Sequence, residues 1–289
     1  MKTRSLFFFI LITTTLGAQQ LPETEIYLFD MKKGKKGIVL SSAENMTNHP
    51  GYDNQPFFHP DKPLIYYSSS DTSGRTEIVE YNYQTKSSRK LTNTSEREYS
   101  PTVTPDKNFI SCIIQRDNGQ QDLGKYPIEG GEPIVIINTL KIGYHAWADD
   151  THLLMFVLGE PNTLNSYSTL EKKGFIITDS IGRSIHKVPR SSFVSFVDKG
   201  RNAKWLIKKI RLEDGMIEPI AETLPQREDI AWTNDGVILM SDGEKIFFLK
   251  PGKKQTWKQA EYQSGTSIKS ISRLAVNREG TKLAVVVSR

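Results

Sequence analysis

The sequence predicts an all-β fold, a six-bladed β-propeller of four-stranded blades whose ring is closed by N- and C-terminal strands sharing one blade. Three observations carry that expectation. A turn motif recurs at close to 45 residues, β-branched and aromatic runs fill the intervals, and each end of the chain supplies half a blade.

The chain opens with Lys2 and Arg4, an apolar stretch over residues 6–12, and then Gly17-Ala18. This order of charge, short apolar core and small residues is that of a secretory signal peptide, with cleavage expected after Ala18. The apolar part is shorter than the roughly 20 residues of a bilayer span, so residues 19–289 are expected as a released, single propeller domain without membrane insertion. Cys112 is the only cysteine, which leaves no internal disulfide and no lipid-bearing cysteine in the leader. Periplasm or secretion is the expected location. Without the leader, 36 basic residues face 33 acidic ones, a bias too weak to indicate nucleic acid or anionic membrane.

Next come residues 25–30 and 36–40, which read as the third and fourth strands of a unit joined by a turn over residues 31–35. The first complete unit follows. His59-Pro60-Asp61-Lys62 is a turn, because proline sets φ for its first position and aspartate tolerates the second. The strand over residues 64–67 follows it, then strands over 77–83 and 88–92. Equivalent turns stand at Thr104-Pro105-Asp106-Lys107, Ala148-Asp149-Asp150, Val188-Pro189-Arg190, Asn234-Asp235-Gly236 and Arg278-Glu279-Gly280. Taking Asp61, Asp106, Asp150, Arg190, Asp235 and Glu279 as equivalent, the intervals are 45, 44, 40, 45 and 44 residues. The sixth unit has strands over residues 272–276 and 282–287 and then ends. The N-terminal pair supplies its missing half, covering edges that would otherwise invite aggregation and making a monomer the default.

The Pro-Asp turns, the strand Ile78-Val79-Glu80-Tyr81-Asn82 and the ending Lys90-Leu91-Thr92-Asn93 resemble the repeats of TolB-type propellers, bacterial relatives of WD-repeat proteins. The similarity covers most of residues 19–289 and is strongest in the first two units. It implies an exported protein that presents one face or the channel to a protein, peptide or small polar ligand. The sequence departs from TolB in showing no separate domain before the propeller.

In a propeller the innermost strand of each blade lines the channel. The residues just before that strand are expected at the channel mouth and read Tyr52-Asp53-Asn54, Glu98-Tyr99-Ser100, Gly143-Tyr144-His145, Gly182-Arg183-Ser184, Arg227-Glu228-Asp229 and Ser272-Arg273. Two readings stay open. In one, these groups bond each other and water, as Arg183 with Glu228 or Asp229. In the other they form a ligand site of Tyr99, Tyr144, His145, Arg183, His186, Glu228, Asp229 and Arg273. The tyrosines and His145 would then give flat amphipathic surface, and Arg183 and Arg273 would hold a carboxylate or phosphate. Binding is the expected function. A metal-assisted hydrolase or lyase using His145, His186 and Glu228 is the alternative, although no two histidines have a zinc spacing. A channel calcium on Asp53, Glu98 and Asp229 has no local cluster behind it. No cofactor is expected. No Gly-x-Ser-x-Gly elbow or phosphate loop occurs, and Cys112 sits mid-strand. Trp147 and Trp232 read as packing between blades. The glycosylation sequons at Asn45 and Asn93 read as polar loops.

Overall fold

Six β-sheets stand in a ring about one axis in the computed structural model of the chain, which describes residues 21–70, 74–200, 204–252, 255–263 and 268–289. The expected leader and its cleavage point lie outside the described residues. The first strands are β1 (Thr24–Gly34) and β2 (Gly37–Asn45). Blade one is β3 (Asp53–Phe58), β4 (Leu64–Ser70), β5 (Thr76–Asn82) and β6 (Ser87–Lys90). Blade two is β7 (Arg97–Val103), β8 (Phe109–Gln115), β9 (Gln121–Pro127) and β10 (Ile134–Ile137). Blade three is β11 (Ile142–Trp147), β12 (His152–Val157), β13 (Thr163–Ser168) and β14 (Lys173–Asp179). Blade four is β15 (Ile181–Lys187), β16 (Phe193–Asp198), β17 (Leu206–Arg211) and β18 (Ile217–Glu222). Blade five is β19 (Ile230–Trp232), β20 (Ile238–Ser241), β21 (Ile246–Leu249) and β22 (Lys258–Gln259). The chain ends with β23 (Glu261–Tyr262), β24 (Ile271–Val276) and β25 (Lys282–Ser288). No helix among the described residues is long and apolar enough to cross a membrane.

Blade six joins the two ends, in the order β23-β2-β1-β25-β24. Along β1, Thr24 to Asp30 pair antiparallel with Ser288 to Lys282 of β25, a full strand length of ladder between residues far apart in sequence. The blade differs from the expected four strands by the addition of β23, which runs parallel to β2 and pairs Glu261 with Val39 and Tyr262 with Leu40. That short strand covers part of an outer edge that would otherwise present bare N–H and C=O groups. β1 also runs past the expected end at residue 30, because Lys32 and Lys33 continue the ladder opposite Val39 and Ile38.

In five of the six blades a polar side chain at the start of the recurring turn holds its shape, and in blade four Ser191, after Val188-Pro189-Arg190, accepts the Phe193 amide instead. His59 Nδ1 accepts the amides of Asp61 and Lys62, each at 3.0 Å. In blade two Thr104 donates its hydroxyl to Asp106 (2.5 Å), whose carboxylate accepts the Asn108 amide. Asp149, Thr233 and Asn277 do equivalent work in blades three, five and six. Short polar side chains that bond nearby backbone favour turns over continued strand, which is why such residues recur at the first hairpins.

Hydrophobic burial lies in the seams between neighbouring blades. Tyr66 and Ile78 of blade one pack on Ile110, Cys112, Ile114 and Tyr126 of blade two. Blades three and four share Leu154, Phe156, Ile185, Val194 and Phe196, and blades five and six share Leu239, Ile246, Phe29, Leu283 and Val285. Cys112 is therefore a small apolar filler, and burial pushes its thiol well above the ordinary range.

Candidate functional site

Bulges in the inner strands decide which side chains reach the channel. The β3–β4 register slips between Asn54 and Phe57, the β7–β8 register between Tyr99 and Thr102, and the β24–β25 register between Ile271 and Arg273. Gln55 and Ser100 sit at these slips with left-handed φ of 59° and 55°. Pro56 and Pro101 follow them, in positions where a sheet tolerates a residue without N–H. Each slip re-aims the side chains after it.

Above the bulges, where the inner strands begin, lies a vestibule of about 1200 Å³ walled by Tyr52, Tyr99, Tyr144, Arg183 and Arg273. A second pocket of about 660 Å³ opens beside it, against Glu228, Asp229 and the β20–β21 turn, and shares Arg183 and Arg273. Below the bulges a cavity of about 330 Å³ runs toward the Pro-Asp turns, between Phe57, Val103, Trp147, Ile185 and His186. Tyr144, Arg183 and Arg273 line both sides and divide the channel.

This partition is one hydrogen-bonded cluster. Arg273 donates from Nη2 to the Tyr144 hydroxyl (2.6 Å), holds its guanidinium 4.9 Å from the centre of that ring and approaches Asp229 at 3.5 Å. Arg183 donates from Nη2 to Asp229 (2.7 Å) and approaches Glu228 at 3.6 Å. Glu228 also accepts the Arg183 amide (3.1 Å) and pairs with Lys199 (2.8 Å). A Cβ at Gly182 would stand 2.5 Å from the Glu228 carboxylate and push it from its place over the Arg183 amide. Burial works against the charge on Arg183, and Asp229 more than offsets it, raising its pKa. Three cations thus meet two carboxylates. Arg183 Nε is buried with no acceptor among the described residues.

The other expected residues go elsewhere. His145 lines the lower cavity on its blade two side, where Nε2 meets Ser111 Oγ (2.8 Å), and burial lowers its pKa to about 3. His186 lines the lower cavity, with Nε2 on Ser184 Oγ (2.9 Å), and burial lowers it to about 4. Ser184 Oγ also accepts the Ile230 amide (3.1 Å), which fixes the hydroxyl beside that ring. Asp53 turns away from the channel toward His49 (3.2 Å), and Glu98 accepts the hydroxyls of Thr94 (2.7 Å) and Tyr126 (2.9 Å) in the blade one–two seam. Burial raises the pKa of both carboxyls, Glu98 to about 7. They do not meet Asp229. Among the described residues no three His, Cys, Asp or Glu side chains gather in a group able to hold a metal.

Sequence reasoning missed Lys199, which follows β16 with no motif to mark it. It also missed Gln55, whose Oε1 accepts Ser68 Oγ (3.0 Å) and the Ser100 amide (2.8 Å) and so ties the first two inner strands together.

No protein-family model and no curated protein matches the chain. Solved structures do. A putative TolB from Agrobacterium tumefaciens is similar at a TM-score of 0.70 and 12% identity, over 93% of this chain and 99% of that one. TolB from Acinetobacter baumannii is similar at 0.61 and 11% identity, over 82% of this chain and 65% of that one, so the likeness spans about two thirds of that TolB. An oligogalacturonate lyase in complex with manganese is similar at 0.55 and 15% identity, over 91% of this chain and 77% of that one. At these identities the likeness carries the fold, and by fold the chain is a TolB-like six-bladed β-propeller.

Proposed function

We propose that this protein is an exported binding module which takes an anionic group, the carboxylate of a peptide or protein partner, into the vestibule over Arg183 and Arg273. One observation carries the reading. Arg183, Arg273 and Lys199 share the two carboxylates of Asp229 and Glu228, and Arg183 Nε, 3.6 Å from Glu228, makes no hydrogen bond among the described residues beside a large open cavity. A ligand carboxylate would fill that donor in a charge-assisted bond, with Tyr99 and Tyr144 as flat walls for the rest of the ligand. Export is supported by the leader-like N-terminus and by the likeness to TolB structures.

Calorimetric titration with short peptides, each bearing either a free or an amidated C-terminal carboxyl, tests this. Saturable binding of the free forms, loss on amidation and loss in an Arg183→Ala variant that still unfolds cooperatively are expected. Equal binding of amidated peptides, or binding insensitive to Arg183, contradicts it.

The likeness to an oligogalacturonate lyase in complex with manganese favours a second reading, a metal-assisted lyase or hydrolase. The residues do not fit such an ion well. His145 and His186 each spend Nε2 on a serine, and Glu228 is held by Lys199 and Arg183. Titration with manganese followed by elemental analysis decides: stoichiometric retention supports the second reading, and none removes it.

A further inference from the structure

Each blade ends on an outer strand whose far edge has no further strand beside it among the described residues, and bare edges template pairing with other chains unless they are blunted. Most edges here are blunted. β6 is Ser-Ser-Arg-Lys and fully exposed, β10 has four residues after Pro133, β18 carries Pro219, β22 has two residues and β2 is partly covered by β23. β14 is the exception. It has seven residues, no proline, and charges only at its ends, Lys173 and Asp179. Phe175 and Ile176 are 65% and 64% exposed, and Leu170 in the turn before them is 76% exposed. Such side chains side by side on an open edge mark an interaction surface.

The sequence of β14 also says what covers it. Lys-Gly-Phe-Ile-Ile-Thr-Asp is charge-complementary to itself when reversed: a two-fold axis at Ile176 sets Lys173 opposite the partner's Asp179 at both ends, and Phe175 opposite the partner's Ile177. In its own chain Asp179 accepts the Ser180 hydroxyl (2.8 Å), and Lys173 has no carboxylate partner among the described residues. The single bulge, at Ile177, lies between the axis and Asp179 and offsets that end by about one residue, a distance within the reach of the Lys173 side chain. We propose that the protein forms a symmetric dimer by antiparallel pairing of β14 with β14 of a second copy. Opposite charges facing across such a pair stabilise it, and like charges oppose it. Closure of blade six, the ground for expecting a monomer, seals a different edge and leaves this rim open. One strand pair with few apolar side chains buries less than the roughly 1,200 Å² of a firm interface, so dissociation in the micromolar range is expected.

Sedimentation equilibrium over roughly 1 to 200 µM reads this directly. A concentration-dependent dimer is expected, abolished by Ile176→Lys with an unchanged melting temperature. Lys173→Glu and Asp179→Lys should each weaken it about tenfold, and the two together should restore it, because the swapped charges again face their opposites. A monomer at every concentration, a dimer indifferent to Ile176→Lys, or a double variant no better than either single one overturns the proposal.

Discussion

Burial holds the imidazoles of His145 and His186 neutral, with pKa values of about 3 and 4, while an unfolded chain takes up the proton near 6.5. Their contribution to stability is therefore complete above pH 6.5 and is lost as the pH falls toward those lower values, by at most about 1.4 kcal/mol per pH unit for each ring. Glu98 acts in the opposite sense. Burial raises its pKa from 4.5 to about 7, so the folded state gains stability as the pH falls through that window. Urea denaturation at pH 7, 5.5 and 4.5 should show a flatter acid limb in His145→Gln than in the wild type, and a steeper one in Glu98→Gln. Parallel curves for all three proteins would contradict both assignments.

Strand-to-strand lacing across the seams is the next scale. Trp147 donates its indole N–H to Ser111 (2.9 Å) and Trp232 does the same to Ser195 (2.9 Å), each from an inner strand to the second strand of the preceding blade. Trp147→Phe and Trp232→Phe should each cost about 1 kcal/mol, the net worth of a hydrogen bond. The two together should cost about the sum, since they lie in different seams. Denaturant titration checks this, and a cost near zero for either would show that packing alone fixes the ring. The packing role of these tryptophans was legible in the sequence because each stands on a strand beside the repeat's turn. Their serine partners were not, since a lone serine in an alternating strand carries no signal. The turns were legible for a local reason: Pro-Asp and the polar residue before it determine the hairpin without help from the rest of the chain. The exposed edge of β14 was legible as a strand but not as an edge, because exposure depends on which neighbours the ring supplies.

At the scale of the whole molecule, the period gave the number of blades, and the half units at the two ends gave the shared blade. The convergence of polar segments at the channel is only partly what periodicity implies. Tyr144, Arg183, Glu228, Asp229 and Arg273 do meet, but Asp53 and Glu98 turn away from the channel and His145 lies in the lower cavity against blade two. Asp53 and Glu98 precede the bulges and alternate with Tyr52, Asn54 and Tyr99, which take the vestibule; successive strand residues face opposite ways, so a three-residue segment cannot aim every side chain at the channel. Everything at the vestibule nonetheless requires the ring to close through β1 and β25. The most direct test is equilibrium unfolding of a variant lacking residues 25–40, with and without a synthetic peptide of residues 23–45 added in trans. The variant alone should show no cooperative transition, and the peptide should restore one. A cooperative transition at wild-type stability without the peptide would contradict a ring closed by the chain's two ends.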